Sequence, residues 1–147
     1  MTNNDIAIYL NQTLELAKNA YSTNEVPVGA LIVYNNKIIA TSFNNIVNKN
    51  DVTNHAEVLA IKQAQKYLKT TNLDNCSIFI NLEPCLMCLG AIINSHIKDI
   101  YFSCLDSKKG AFTFYGINPS TNNLNIHYIE NKDSKDLIQD FFKSLRN

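Results

Sequence analysis

The stretch NLEPCLMCLGAI, from Asn81 to Ile92, contains two cysteines three positions apart, directly after a proline. Such a pair can be a redox dithiol, half of a zinc site, or two buried apolar side chains. Pro84 is a residue type that often opens a helix, and an apolar pattern follows it. Cys85 and Cys88 then share one face of the first helical turn. Because a helix N-terminus favours negative charge, this position suits two thiolates that bind one metal ion.

The composition indicates a globular domain, since 46% of the 147 residues are hydrophobic and 18% are charged. We expect one domain spanning residues 1–147. The 13 basic and 13 acidic residues give zero net charge, so any contact with RNA must be local. The N-terminal residues show neither a signal peptide nor a membrane-length apolar run, so we expect a cytoplasmic protein without membrane contact.

Strand patterns alternate with helix patterns along the chain, which predicts an α/β fold whose sheet is covered on both faces. The predicted strands are 26–34, 37–43, 76–82, 99–105 and 125–130, and the predicted helices are 5–21, 55–68, 84–95 and 134–145. Asn35 and Asn36 predict a tight turn between the first two strands. Thr53 or Asn54 is expected to cap the second helix.

Two thiolates leave a zinc ion short of ligands, because its sites use three or four protein groups. The best third candidate is His55, in the sequence NHAE at the start of a predicted helix. Glu57 follows two residues later, and both side chains can face one pocket if His55 is still extended. A His/Cys/Cys set leaves one position for water, which is typical of a catalytic zinc, and the carboxylate can then move protons without binding the metal.

The sequence HAE (His55–Glu57) followed by PCLMC (Pro84–Cys88) resembles the H-x-E…P-C-x-x-C signature of zinc-dependent nucleobase deaminases. Within the cytidine/deoxycytidylate deaminase superfamily, the chain is most similar to the bacterial tRNA-specific adenosine deaminases. The motifs that carry this similarity, in the same order as in that family, are EVPVGA (25–30), Asn44, HAE (55–57), LEPCLMC (82–88), GAI (90–92) and DFF (140–142).

The resemblance implies a cytidine deaminase-like, three-layer α/β/α sandwich around a mixed five-stranded sheet. It implies a hydrolase that converts the wobble adenosine of a tRNA anticodon, expected to be that of an arginine tRNA, to inosine. His55, Cys85 and Cys88 would hold one Zn²⁺ per chain, a zinc hydroxide would attack C6, and Glu57 would shuttle protons. The implied partners are a tRNA anticodon stem-loop and a second copy of the chain, in a homodimer.

The resemblance also implies a set of substrate-binding residues. Asn44 would hydrogen-bond the flipped-out base. The other positions that resemble the family's pocket and RNA-contacting surface are Val28, Ala56, Leu82, Glu83, Pro84, Asp106 and Phe142. Taken without the resemblance, Asp106 is a typical loop cap. Apolar residues of LGAIINSHI (89–97) are the expected dimer contacts, and the loop sequence after Asp106, SKKGAFTFYG, departs from the small residues usual in the family.

Two other functions remain open at this point. A free nucleobase or nucleoside deaminase, acting on guanine or cytosine, would carry the same zinc motifs. A non-catalytic, deaminase-fold RNA-binding subunit is the third possibility, and such a subunit is expected to lack the glutamate. Glu57 is present, and the EVPVGA and DFF motifs favour tRNA as the substrate.

Overall fold

The structure, a computed structural model, describes residues 1–145, two residues short of the predicted domain end. Its helices are α1 (Asn3–Ser22), α2 (Ala56–Leu68), α3 (Leu86–Asn94) and α4 (Lys132–Ser144), and its strands are β1 (Gly29–Tyr34), β2 (Lys37–Phe43), β3 (Cys76–Ile80), β4 (Asp99–Phe102) and β5 (Asn125–Tyr128). The five strands form one sheet in the order β2-β1-β3-β4-β5. β1 is antiparallel to both of its neighbours, whereas β3, β4 and β5 run parallel. The predicted mixed five-stranded sheet is confirmed.

Alternating residues of the strands divide the core between the two faces of the sheet. Leu31 and Val33 of β1 pack with Tyr9 and Leu10 of α1 in one cluster. The neighbours on the opposite face, such as Ile32, belong to a larger cluster with residues of α2 and α3. The predicted three-layer α/β/α sandwich is therefore confirmed. Within residues 1–145, no helix combines the length and hydropathy needed to cross a membrane.

The fourth helix lies in the same layer as α1. The ring of Tyr21, at the end of α1, meets the buried ring of Phe141 edge to face, with centroids 5.6 Å apart. The Tyr21 hydroxyl also donates to Asp140 Oδ2 at 2.7 Å. The ring contact and the hydrogen bond hold the C-terminal part of α4 against the end of α1, shortly before β1 begins.

Gly29, the first residue of β1, lets α1 lie against the sheet. A Cβ atom at this position would collide with the carbonyl oxygen of Thr13 and lie 2.5 Å from Cβ of Leu16. Both obstacles belong to the helix, and one of them is backbone that cannot move aside. The close approach of helix and strand therefore depends on glycine here.

β1 begins three residues later than predicted. The backbone before it is hydrogen-bonded by the side chain of Asn81 and not by a neighbouring strand. The buried amide of Asn81 accepts from the Gly29 N–H at 2.7 Å and donates to the Pro27 carbonyl at 3.0 Å. Asn81 also bonds the hydroxyl of Ser134 at the start of α4, through its side chain and its carbonyl. One asparagine thus joins the end of β3 to β1 and to α4.

The loop between β2 and α2 is held by the carboxylate of Glu25, which is fully buried. It accepts backbone N–H groups of Ile46, Val47 and Asn48 at 2.9–3.1 Å, and the Asn48 amide at 2.7 Å. Burial alone would raise the pKa of Glu25, but the bonds from Asn48, Val47 and Ile46 outweigh it, so this pKa lies below the usual glutamate value.

Several turns use asparagine where the backbone is left-handed. In residues 1–145, the non-glycine positions with positive φ are Asn24, Asn35, Asn36, Asn50, Lys69, His96 and Asn123. Asn35 and Asn36, with φ of 50° and 57°, form the two-residue connection between β1 and β2. The turn predicted at these residues is confirmed, and its backbone suits the twist of the two strands.

Replacing Glu25 by glutamine should lower the free energy of unfolding at neutral pH by about 2 kcal/mol, because an amide nitrogen would face N–H donors. The native pKa of Glu25 is depressed, so its stabilising effect is complete above the unfolded value of about 4.3 and is lost as the pH falls through the native pKa. In urea unfolding, the difference in stability between parent and Glu25→Gln should be largest at pH 7 and should shrink as the pH is lowered from about 4 through the native pKa of Glu25.

Glu15→Gln is the matched control, since Glu15 is exposed and makes one ion pair with Lys18 at 3.1 Å. Its effect should stay below about 0.5 kcal/mol. Equal unfolding curves for Glu25→Gln and the parent at pH 7 would show that the buried carboxylate does not hold the loop.

Candidate metal and active site

Two of the predicted metal ligands stand at the entry of a helix. His55 is the N-cap of α2 and Cys85 the N-cap of α3, and both have extended backbone. Neither side chain caps its own helix, so both remain available to a shared partner. The predicted cap at Thr53 or Asn54 is wrong, and Pro84 precedes α3 instead of opening it.

The cap of α2 comes from another segment. Asn44, the residue after β2, accepts the Ala56 N–H through Oδ1 at 2.8 Å. Thr53 cannot serve, because its hydroxyl is bonded to Asp51 at 2.6 Å. The backbone N–H of Asn44 meets the Val28 carbonyl at 3.0 Å. Within residues 1–145 the Asn44 Nδ2 has no hydrogen-bond partner, so it is the atom left to bind a ligand.

The three predicted ligands converge. Nδ1 of His55 lies 3.4 Å from Sγ of Cys88 and 3.7 Å from Sγ of Cys85. The three ligand atoms lie within 4.8 Å of one another. Zinc bonds of about 2.3 Å to sulfur and about 2.0 Å to nitrogen place tetrahedral neighbours about 3.5 Å apart. The donor atoms are therefore already spaced as a zinc ion requires.

The pKa values of the two thiols shift in opposite directions. A hydrogen bond from the Cys88 thiol lowers the pKa of Cys85 to about 4, and a further bond to His55 acts in the same direction. The same bond to Cys85, together with burial, raises the pKa of Cys88 above the usual thiol value. A cation that binds both sulfurs would displace the proton of the Cys88 thiol. One imidazole and two thiolates are soft donors that suit zinc.

Glu57 lies in the first turn of α2 and is only 3% exposed. Among buried side-chain oxygen and nitrogen atoms of residues 1–145, its Oε1 alone lacks a hydrogen-bond partner. Burial raises the pKa of Glu57 to about 7. A buried polar atom without a partner is unfavourable unless a ligand or water supplies one. The carboxyl group is thus poised to exchange protons at neutral pH with a molecule bound beside it.

The remaining predicted substrate residues fall into two groups. Val28 and Ala56 are buried and bond directly to Asn44, so these three residues form one wall near His55. Phe142 lies on α4, where its exposed ring meets Phe141 edge to face at 5.5 Å. Phe142 therefore stays a predicted RNA contact.

The second group surrounds Cys85. Leu82 is partly exposed and Pro84 is buried. Both carboxylate oxygens of Glu83 are bonded within the chain. Asp106 accepts the N–H groups of Lys108 and Lys109 at 3.0 Å each, as a loop cap does.

Sequence patterns did not predict the separate structural roles of Glu25, Asn81 and Glu83. All three are buried polar side chains that bond backbone groups of loops distant in sequence. A usable signal exists for Glu83, because it is a charged residue between Leu82 and Pro84 in a mostly apolar stretch. Such a residue must find partners when it is buried.

Comparison with known proteins places this site in a family. Residues 4–146 match the sequence profile of the MafB19-like deaminases. The tRNA-specific adenosine deaminase of Aquifex aeolicus (strain VF5) is 39% identical over 143 residues, which cover 95% of this chain and 95% of that protein.

Solved structures share the fold. A structure from studies of A-to-I editing by tRNA:A34 deaminases aligns with a TM-score of 0.79 and 30% identity, covering 89% of this chain and 99% of that one. The guanine deaminase of Bacillus subtilis aligns with a TM-score of 0.66 and 29% identity, covering 100% and 95% of the two chains. By its matched profile and its identity to relatives of the same length, the chain belongs to the MafB19-like deaminases, in the family of the tRNA-specific adenosine deaminases.

Proposed function

We propose that this chain hydrolytically deaminates the wobble adenosine of a tRNA anticodon to inosine. The observation that carries the proposal is the partnerless Oε1 of Glu57 beside the His55, Cys85 and Cys88 donor set. Identity of 39% to a tRNA-specific adenosine deaminase over nearly the whole chain supports the choice of substrate.

In this proposal His55, Cys85 and Cys88 hold zinc, which when bound lowers the pKa of a water molecule and leaves a coordination position open. Glu57 accepts one proton of the attacking water and passes it to ring N1. It then takes the second proton, from the hydroxyl group now on C6, and delivers it to the departing amine, so that inosine and ammonia form. A pKa of about 7 suits a group that must both take and return a proton at neutral pH.

Asn44 orients the base. Its Oδ1 is engaged by the Ala56 N–H, so its Nδ2 must point away from α2. That nitrogen is a donor, and a purine offers ring nitrogens as acceptors. The helix cap therefore fixes the direction from which the base is contacted.

The competing substrate is a free base. The Bacillus subtilis guanine deaminase has the same fold at 29% identity, so the fold alone does not select the substrate. A non-catalytic role is disfavoured by the presence of Glu57. We further propose that the substrate is an arginine tRNA and that the protein is located in the cytoplasm.

We also propose a homodimer, in which the partly exposed Ala91 and Ile93 of the expected segment stay candidate contacts. Leu89, Ile92 and Ile97 of the LGAIINSHI segment are buried in the chain's own core and cannot form an interface. Leu86 and Met87, at the start of α3, are exposed large apolar residues and replace them in the proposed contact.

Glu57→Gln should keep the fold and the metal yet lower kcat by about 10⁴-fold, because one residue serves successive proton transfers. Elemental analysis of protein purified without chelator should find one zinc per chain in the parent and in Glu57→Gln. The double variant Cys85→Ala/Cys88→Ala should contain almost none, whereas Cys104→Ala should keep it, since Cys104 is a buried cysteine outside the cluster. Near-normal turnover by Glu57→Gln would refute its assignment.

Asn44→Asp and Asn44→Ala separate the two roles of Asn44. Aspartate keeps an acceptor for the Ala56 N–H, so stability and zinc content should stay close to the parent values. It loses the amide donor, so kcat/KM on the RNA should fall about 100-fold. Asn44→Ala should lose stability as well. Parent-like kcat/KM in Asn44→Asp would mean that the Nδ2 atom does not contact the base.

The substrate is tested with anticodon stem-loops and with free adenosine, adenine, guanine and cytosine in parallel, with products identified by mass spectrometry. A stem-loop with adenosine at the wobble position should be converted to inosine, because a base in a loop is already partly unstacked. The free compounds should remain unchanged. Turnover of guanine or cytosine without turnover of any stem-loop would establish the nucleobase deaminase instead.

A further inference from the structure

Asn81 is a fully buried asparagine that stands just after β3 and bonds the backbone just before β1. Its own N–H donates to the Gly29 carbonyl at 3.3 Å. Its side-chain Oδ1 accepts the Gly29 N–H at 2.7 Å, and Nδ2 donates to the Pro27 carbonyl at 3.0 Å. The amide has one orientation only, because a reversed amide would set nitrogen against an N–H donor and oxygen against a carbonyl.

Residues 27–29, which we call the entry segment, are held on their other edge by Asn44. Successive residues of an extended chain point their backbone groups to opposite edges. The two ends of the entry segment face Asn81, and Val28 in the middle faces the other way. The Val28 carbonyl accepts the Asn44 N–H at 3.0 Å, while Asn44 Oδ1 accepts the Ala56 N–H at 2.8 Å. The position of Val28 therefore influences where the Asn44 amide stands.

The entry segment has few other hydrogen bonds. Pro27 has no backbone N–H, and the Val28 N–H donates to the carbonyl of Val26, only two residues away, at 2.8 Å. Within residues 1–145, the hydrogen bonds that join Pro27 and Val28 to distant parts of the chain come from Asn81 and Asn44. Val28 is also buried in the wall near His55. A shift of this segment would therefore displace that wall and Asn44 together.

Ser134, in the first turn of α4, holds Asn81 in turn. The serine is fully buried, and its hydroxyl donates to the Asn81 carbonyl at 2.6 Å and accepts from Asn81 Nδ2 at 3.2 Å. The turn itself is fixed by Asn131, the N-cap of α4, whose side chain accepts the Ser134 N–H at 3.3 Å. Both hydrogens of Nδ2 are thereby used, one on the entry segment and one on α4.

We propose that Asn81 is a positioning residue for the deamination: through the entry segment it fixes Asn44, and with it the amide donor that meets the base. Ser134 makes the first turn of α4 part of the same support. Asn81 is buried and its amide is fully bonded within the chain, so it acts without touching the substrate. The inference rests on the proposed function, because that function assigns Asn44 to the base.

Asn81→Ala removes both side-chain bonds to the entry segment. Because misplacing reacting groups by about 1 Å lowers a rate about 100-fold, kcat on a stem-loop with adenosine at the wobble position should fall about 30–100-fold. KM should stay within about threefold and zinc content should not change, because only the orientation of the base is affected. Ser134→Ala keeps the bonds from Asn81 to the entry segment, so its kcat should fall only about threefold.

Ser103→Ala is the matched control for Ser134→Ala. The buried Ser103 hydroxyl also donates to the Asn81 carbonyl, at 3.3 Å, but it does not bond the amide. Its kcat should stay within about 1.5-fold of the parent value. An equal loss of kcat in Ser103→Ala and Ser134→Ala would show that the Asn81 amide is not what matters.

A double-mutant cycle separates positioning from a general loss of structure. Asn44→Asp already lacks the amide donor through which Asn81 is proposed to act. Adding Asn81→Ala to Asn44→Asp should therefore lower kcat/KM by no more than about threefold further, and adding Ser134→Ala should leave it unchanged. A general loss of structure would instead multiply the effects of the single variants.

Hydrogen exchange, followed by NMR, tests the same link without RNA. Exchange at the Asn44 N–H reports its bond to the Val28 carbonyl. Measured relative to Tyr101 in β4, this exchange should be about tenfold faster in Asn81→Ala and about threefold faster in Ser134→Ala than in the parent. Ser103→Ala should show the parent rate. If Asn81→Ala does not fold, Ser134→Ala decides both the exchange test and the cycle.

Four results would overturn the inference: parent-like exchange at Asn44 in the variants of Asn81 and Ser134, multiplied losses in the cycle, loss of zinc in Asn81→Ala, or a rise in KM at constant kcat. A parent that is inactive on every stem-loop contradicts the proposed function and, with it, the role of Asn81 toward the base. The exchange rates still decide in that case whether Asn81 fixes Asn44.

Discussion

The central constraint on this fold is the meeting of two helix starts that are 30 residues apart in sequence. His55 and Cys85 must bring their side chains within 3.7 Å of each other while both helices remain packed on the same face of the sheet. The chain on either side has to be irregular, and its backbone N–H groups need acceptors. Two buried glutamates supply them: Glu25 in the loop that leads to His55, and Glu83 in the segment that pairs with Cys85.

Asn44 links the fold to the chemistry more directly than any other residue. Its oxygen accepts the first N–H of α2, which leaves its nitrogen as the donor proposed to bind the base. A free asparagine could rotate its amide and lose selectivity between donor and acceptor. Here the bond from the Ala56 N–H to Oδ1 fixes which end of the amide is left for a ligand. In the proposed function, the orientation of the base would therefore depend on a backbone hydrogen bond.

Local patterns made the strands, the helices and the ligand set predictable from the sequence. Periodic apolar residues identify the elements, and the spacing of His55, Cys85 and Cys88 reflects chemistry that needs soft donors. The missed features all depend on distant partners. The cap of α2 comes from a residue 12 positions away, and the start of β1 is set by Asn81, 52 positions away. No short window of sequence contains both members of such a pair.

The asparagine-closed turns show how this fold tolerates a change in overall composition. A left-handed turn requires a positive φ angle, and asparagine adopts a positive φ more readily than most other residues with a side chain. Gly29 and Gly110 are required for a different reason: neighbouring atoms leave no room for a Cβ atom at either position. Substitution of glycine is therefore tolerated at left-handed turns, where asparagine can replace it. It is not tolerated at the crowded positions, where no side chain fits. The chain has only four glycines, and two of them stand at such crowded positions.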